Sequence, residues 1–210
     1  MDPRKLMQAI PSRLTADVDA RLDRLDLSFG RYGTDAYGIS RAHLRVFYSL
    51  LGWMYHHYFR VETFGSHHIP DTGSAMLIGN HSGGIPVDAG MILASLFFGH
   101  DPPRHAHGMV EKFAQRWPFV SSWFSRVGQL PGLPENAIRI LNDGRVLLVF
   151  PEGARGTGKL YTQRYNLVRF GTGFMRIALK TGTPVVPFAF IGGEEVVPTL
   201  FHARTLAKLT

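Results

Sequence analysis

The chain has 210 residues, 45% of them hydrophobic and 19% charged, which is the composition of one well-cored globular domain and excludes a disordered segment. It contains no cysteine, so disulfides, thiolate nucleophiles and cysteine-bound zinc are excluded. Its net charge of +7 is unevenly spread: Arg155, Lys159, Arg164, Arg169, Arg176 and Lys180 follow one another with no acidic residue between them. Such a field draws phosphates, whether of a nucleotide-bearing cofactor, a lipid headgroup or nucleic acid; the alternative is an ordinary solvated face.

The start, MDPRKLMQAIPSRLTADVD, has no apolar h-region and does not read as a signal peptide, which with the absence of Cys fits a reducing cytoplasm. Leu14, Val18, Leu22 and Leu25 recur at helical spacing and predict an amphipathic helix over 14–27. After glycines at 30, 33 and 38, Ser40 is placed to cap a second helix over 41–59, striped by Leu44, Phe47, Leu51, Met54 and Tyr58 and widened by Val46, Leu50, Trp53 and His57. Its aromatic content suits either core packing or a membrane surface. Its apolar run is far short of the roughly 20 residues that span a bilayer.

From residue 61 the pattern alternates. Strands are expected at 61–65 (VETFG), 75–80 (AMLIGN), 105–110, 146–150 (VLLVF) and 184–191, and helices at 86–98, 113–126, 134–142 and 172–181. That alternation predicts a single α/β domain over 61–210, with a mostly parallel central sheet flanked by helices, preceded over 1–60 by amphipathic helices. The chain stops inside an expected helix, as a truncated domain would.

Two segments carry chemistry. In NHSGGIPVDAG, residues 80–90, His81 ends a strand and Asp88 falls in the first turn of the next helix, opened by Pro86. Gly83 and Gly84 allow the loop to fold back, so that the carboxylate can meet the imidazole and make it a general base near neutral pH. The plainer alternative is a loop histidine beside a helix-capping Asp. In VLLVFPEGARGTGK, residues 146–159, a buried strand ends in Pro-Glu-Gly, and the turn amides with Arg155 and Lys159 are placed for phosphate. Gly153 to Lys159 falls one residue short of a nucleotide P-loop, because Leu160 stands where the magnesium-binding hydroxyl belongs. HSGG is similar to the oxyanion glycines of esterases, but no G-x-S-x-G accompanies it. His100, His105 and His107 lack a matching distant pair of metal ligands, so no metal is expected.

A strand ending in Asn-His, a downstream Asp and, about 60 residues further on, a strand ending in Phe-Pro-Glu-Gly together resemble the lysophosphatidate/glycerol-3-phosphate acyltransferase family. VEKFAQRWPFVSSWFSRVGQLPG at 110–132 and TGTPVVPFAF at 181–190 are similar to that family's intervening block and last motif, so the resemblance covers roughly 60–195. The resemblance implies His81 as base and Asp88 as its partner. It puts Glu152, Gly153 and Arg155 at positions linked to acceptor or phosphate binding, Pro184 and Pro187 in the acyl-donor motif, and Lys112 at a recurrent Lys. With Gly83, Gly84 and Lys159 these make up the expected binding set.

Three departures stand out. The family's His-x4-Asp is here His81-x6-Asp88; subgroups acting on neutral glycerolipids also carry a longer, HG-x-x-P-x-D-like loop. The Arg tied to the acceptor phosphate is missing from GQLPGLPENA, and Ala154 stands for the usual Thr.

The expected reaction is transfer of a fatty acyl group from acyl-CoA or acyl-carrier protein to a lipid hydroxyl. By the resemblance the acceptor is 1-acylglycerol-3-phosphate or a related glycerolipid; the alternatives are mono- or diacylglycerol, a long-chain alcohol, or a non-catalytic lipid-binding module of the same fold. With no Cys or elbow Ser, transfer is expected to be direct, without metal or cofactor, and with Gly83–Gly84 amides as candidates for the oxyanion. Expected partners are the acyl donor, a glycerolipid and the cytoplasmic face of a membrane. No nucleic acid is expected, since the aromatics lie in apolar stripes and not among the Arg and Lys.

Overall fold

The computed structural model describes residues 12–83, 85–110 and 118–200. Ala75–Gly79 (β1) is buried at every position and Val146–Val149 (β4) at all but its last, because both lie inside a parallel sheet covered on two faces. Ala106–Val110 (β2), Leu130–Pro131 (β3) and Val185–Phe188 (β5) complete five parallel strands in the order β3-β2-β4-β1-β5. The side-chain period of two then divides the core. Leu77, Val146 and Leu148 face one layer, while Met76, Ile78 and Leu147 face the other.

The first layer holds Ser12–Leu22 (α1), Arg41–Trp53 (α2) and Val87–Phe98 (α3), with Pro118–Arg126 (α4) beside α2. The second holds Pro134–Asn142 (α5) and Gly173–Thr181 (α7). A short helical turn, Ala154–Thr157 (α6), follows Pro-Glu-Gly, and another, Gly193–Val196 (α8), follows β5. Strand β1 feeds α3 on one face and its neighbour β4 feeds α7 on the other. Such a reversal opens a crevice at the carboxyl ends of the two strands.

The helix expected over 14–27 spans 12–22, and three further expectations differ from the structure. Residues 61–65 form no strand: Glu62, Thr63 and Phe64 are exposed, and Val61 N–H instead donates to the Tyr55 carbonyl. The second helix ends in a π-helical turn over Met54–Tyr58, where Phe59 N–H reaches Met54 O. The wider turn breaks the stripe, so Tyr55 is buried while Tyr58 is 62% exposed. Ser40 does precede α2, but its hydroxyl meets the His43 ring at 2.9 Å and caps no backbone amide. The first part of the expected helix over 113–126 lies outside the described residues.

The amino-terminal edge of the sheet carries a buried polar cluster. His105 Nδ1 lies 2.7 Å from the Tyr48 hydroxyl, and His107 Nδ1–H donates to Gly128 O at 2.8 Å. Arg145 pairs with Asp35 at 2.7 Å. A cavity of about 230 Å³ opens there, at the opposite end of the strands from His81. Burial pushes His107 down to about 4 and His105 well below the ordinary histidine range. A folded-state value below the unfolded one favours the neutral ring. The stability it confers is complete above about pH 6.5 and is lost as pH falls towards 4. Chemical denaturation is expected to show roughly 3 kcal/mol lost from His107 alone between pH 7 and pH 4. A flat stability profile across that range would contradict the burial argument.

Candidate active site

His81 lies two residues beyond β1, at the crevice between the ends of β1 and β4. Asn80 anchors this point by a reciprocal pair: its Nδ2–H donates to Phe190 O and its Oδ1 accepts from Phe190 N–H, both at 2.8 Å. The chain then turns through Gly83 at φ +77°, a left-handed conformation that favours glycine. A Cβ there would also lie 2.8 Å from the Gly193 carbonyl. The turn returns the chain to α3, whose first turn holds Asp88, fully buried.

His81 Nδ1 and Asp88 Oδ2 are 2.7 Å apart. The same carboxylate accepts Ser82 N–H at 2.8 Å on Oδ2 and Ala89 N–H at 2.7 Å on Oδ1. An ionised carboxylate only accepts, so the ring proton sits on Nδ1 and Nε2 keeps a lone pair. The His81 side chain is 13% exposed, leaving a narrow opening to solvent. Phe150, at the end of β4, stacks on the imidazole with centroids 4.0 Å apart and planes at 15°. The stacked ring fixes the plane of the imidazole from the side of β4.

Glu152 lies on the other side of the His81 backbone, 1% exposed. Its Oε1 accepts His81 N–H at 3.0 Å and its Oε2 accepts Val168 N–H at 2.8 Å. Both carboxylate oxygens are thus directed inward, on the loop holding His81 and on the basic loop after α6. Gly153 adopts φ 59°, ψ −157°, a conformation essentially restricted to glycine, and so turns the chain into α6. Gly156 in that turn abuts His81: a Cβ would lie 2.8 Å from His81 Cβ and 2.9 Å from its carbonyl oxygen.

The expected binding residues separate into two groups. Arg155 is exposed, with Nη2 donating to Arg169 O at 3.2 Å. Lys159 is enclosed: its side chain is 6% exposed, and its ammonium lies 3.3 Å from Glu194 Oε1 and 3.7 Å from Glu152 Oε2. Gly84 and Lys112 lie outside the described residues. In the segment GQLPG, Gln129 turns its amide inward, donating to Val127 O and accepting Gly108 N–H. Pro184 and Pro187 frame and occupy β5, which pairs with β1. Ser82, Phe150, Gly156 and Glu194 escape a reading of the sequence; of these only Phe150 carries a signal, as the last apolar residue before Pro-Glu-Gly.

A model of the acyltransferase family matches residues 60–191. Uncharacterised proteins of Mycobacterium tuberculosis and Mycobacterium leprae are 33% and 34% identical to the chain, each over 86% of it and about half of their own length (51% and 50%). A bovine protein named "DGAT1/2-independent enzyme synthesizing storage lipids" is 28% identical over 67% of this chain and 44% of its own. The chain thus spans about half the length of the curated relatives it matches. The crystal structure of the 1-acyl-sn-glycerophosphate acyltransferase PlsC from Thermotoga maritima superposes with a TM-score of 0.54, at 23% identity, over 75% of this chain and 62% of that one; the likeness is one of fold. With a family match across most of its length, including both the His81–Asp88 and the Glu152 segments, this chain belongs to the acyltransferase family.

Proposed function

We propose that the chain transfers a fatty acyl group from acyl-CoA or acyl-carrier protein to a glycerolipid hydroxyl, with His81 as general base. The 2.7 Å His81–Asp88 hydrogen bond carries this reading. Nε2 takes the hydroxyl proton as the oxygen attacks the thioester carbonyl. Asp88 holds the productive tautomer and offsets the charge of the imidazolium. Collapse of the tetrahedral adduct expels the thiolate, which recovers the proton from His81. Ser82, although adjacent, is turned inward with its hydroxyl buried, which supports direct transfer over an acyl-enzyme.

For the acceptor, a neutral glycerolipid such as mono- or diacylglycerol has the better support. The lengthened His-x6-Asp loop and the cation-free GQLPG segment both point that way. Lys159, one of two cations expected to meet phosphate, is committed to buried carboxylates. The storage-lipid relative accords with the same reading. Lysophosphatidate remains the second reading because Arg155 stays exposed three residues after Glu152. Thiol release from acyl-CoA, measured against lysophosphatidate, monoacylglycerol, diacylglycerol and a long-chain alcohol, decides between them. Turnover is expected with the neutral glycerolipids, and Arg155→Ala is expected to leave their KM within about threefold, since a surface contact contributes little. Turnover confined to lysophosphatidate, with KM raised selectively by Arg155→Ala, would establish the second reading.

We also propose peripheral contact with a membrane. No helix among the described residues is long and apolar enough to cross one. Leu50, Trp53, Tyr58 and Phe64 are 48%, 44%, 62% and 86% exposed, and the Trp53 and Tyr58 rings stack at 6.0 Å. Amphipathic rings of this kind suit the headgroup layer. Flotation with anionic liposomes is expected to capture the protein at low salt, more weakly at high salt, and more weakly still for Trp53→Ala/Tyr58→Ala. Failure to float at low salt would remove the proposal.

A further inference from the structure

We infer that Lys159 and Glu194 are positioning residues for the reaction at His81, acting through Glu152; the inference rests on the reading of His81 as the general base. Lys159 stands in a glycine-rich basic loop, where its residue type suggests a phosphate ligand. Its surroundings assign it otherwise. The ammonium reaches Glu194 Oε1 at 3.3 Å, Glu152 Oε2 at 3.7 Å and the Asn166 carbonyl at 3.1 Å. Two of these are hydrogen bonds and the approach to Glu152 is an ion pair, so the ammonium is directed at buried acceptors of the protein itself. The side chains of Lys159, Glu152 and Glu194 are 6%, 0% and 7% exposed.

The consequence for His81 follows from Glu152. As a carboxylate it accepts two amides, His81 N–H and Val168 N–H, on different oxygens. Once protonated, one oxygen would carry an O–H directed at an N–H, and one of the two bonds would be lost. Lys159 places its positive charge 3.7 Å from the buried Glu152 carboxylate, the counter-charge that a buried carboxylate requires. Glu194 in turn holds Lys159 from α8, whose first residue packs on the catalytic loop. A Cβ at Gly193 would lie 2.0 Å from Ser82 Oγ, and the Gly193 carbonyl lies against Gly83. Two carboxylates thus share one ammonium beneath the backbone of the general base, and the His81 imidazole itself pairs with Asp88.

The test uses the full chain with Lys159→Met, Glu194→Gln and the double variant. Steady-state thiol release is measured with acyl-CoA and whichever acceptor the wild type uses, alongside the NMR signal of the His81 Nδ1–H proton. Lys159→Met is expected to lower kcat by about 10–100-fold, the effect of a displaced catalytic group, with both KM values little changed. The double variant should exceed Lys159→Met in kcat at neutral pH, because it removes one of the two carboxylates left without a counter-charge. A raised KM for a phosphorylated substrate at unchanged kcat in Lys159→Met would overturn the inference. Should Lys159→Met fail to fold, Glu194→Gln decides: a shifted Nδ1–H signal with a several-fold lower kcat supports the linkage, and no change in either refutes it. If the wild type transfers acyl groups to no acceptor, the proposed function falls, while the Nδ1–H signal still reports whether the ion pair positions His81.

Discussion

Replacement of His81 by Ala is expected to lower kcat on the order of 10²–10⁴-fold while leaving the fold intact, the cost of losing a positioned general base. The fold should survive because the ring lies at a strand end, outside both hydrophobic clusters. Asp88 keeps Ser82 N–H and Ala89 N–H when the imidazole is gone. Asp88→Asn is expected to cost about as much by a different route. The Asn amide cannot accept at both positions, and an NH₂ facing Nδ1 selects the tautomer whose proton is on Nε2, where the base needs its lone pair. Thiol release, with circular dichroism and thermal melting as folding controls, measures both. Wild-type turnover in a folded His81→Ala protein would end the general-base mechanism.

Gly156→Ala is the second substitution with a large expected effect, although it removes no chemical group. The new methyl would meet His81 Cβ at 2.8 Å, His81 O at 2.9 Å and Glu152 Cβ at 3.0 Å. None of these is the free end of a flexible side chain, so the backbone of α6 or of the His81 loop has to move. Overpacking of this kind destabilises by about 1–3 kcal/mol. A displacement of the base approaching 1 Å costs on the order of 10² in rate. The control is Gly173→Ala, at the start of α7, where a Cβ meets nothing within 4 Å and φ is not positive. That variant should retain full kcat. Equal activity of the two variants would mean that contact between the α6 turn and His81 does not tune the reaction.

The central strands are legible in the sequence because burial on both faces leaves uninterrupted apolar runs, AMLIG and VLLV. The dyad is legible for a related reason. A His at a strand end, two glycines and an acid in the next helical turn form a local unit, closed within seven residues. Helix α5 matches its expected bounds, 134–142, since Pro134 opens it and Gly144 follows its end. VETFG, by contrast, has the composition of a strand but none of the pairing. A strand exists only where a neighbour supplies hydrogen bonds, and composition does not report neighbours.

The roles of Glu152 and Lys159 lie beyond local reading for the same reason. Residue type alone makes Lys159 a surface cation and Glu152 a turn acid. Burial converts them into an ion pair whose partners come from His81, Val168 and Glu194, at separations of 71, 16 and 35 residues. The same holds for Phe150 on the imidazole, for Gly156 against His81 and for the histidines of β2, whose titration is set by the core around them. Hydrophobic periodicity and short motifs are properties of neighbouring residues along the chain, so they determine the strands, the helices and the His-Asp pair. The direction a charged side chain takes, inward to a partner or outward to substrate, is decided by desolvation and pairing between distant segments, and these exist only once the sheet has brought the ends of β1 and β4 together.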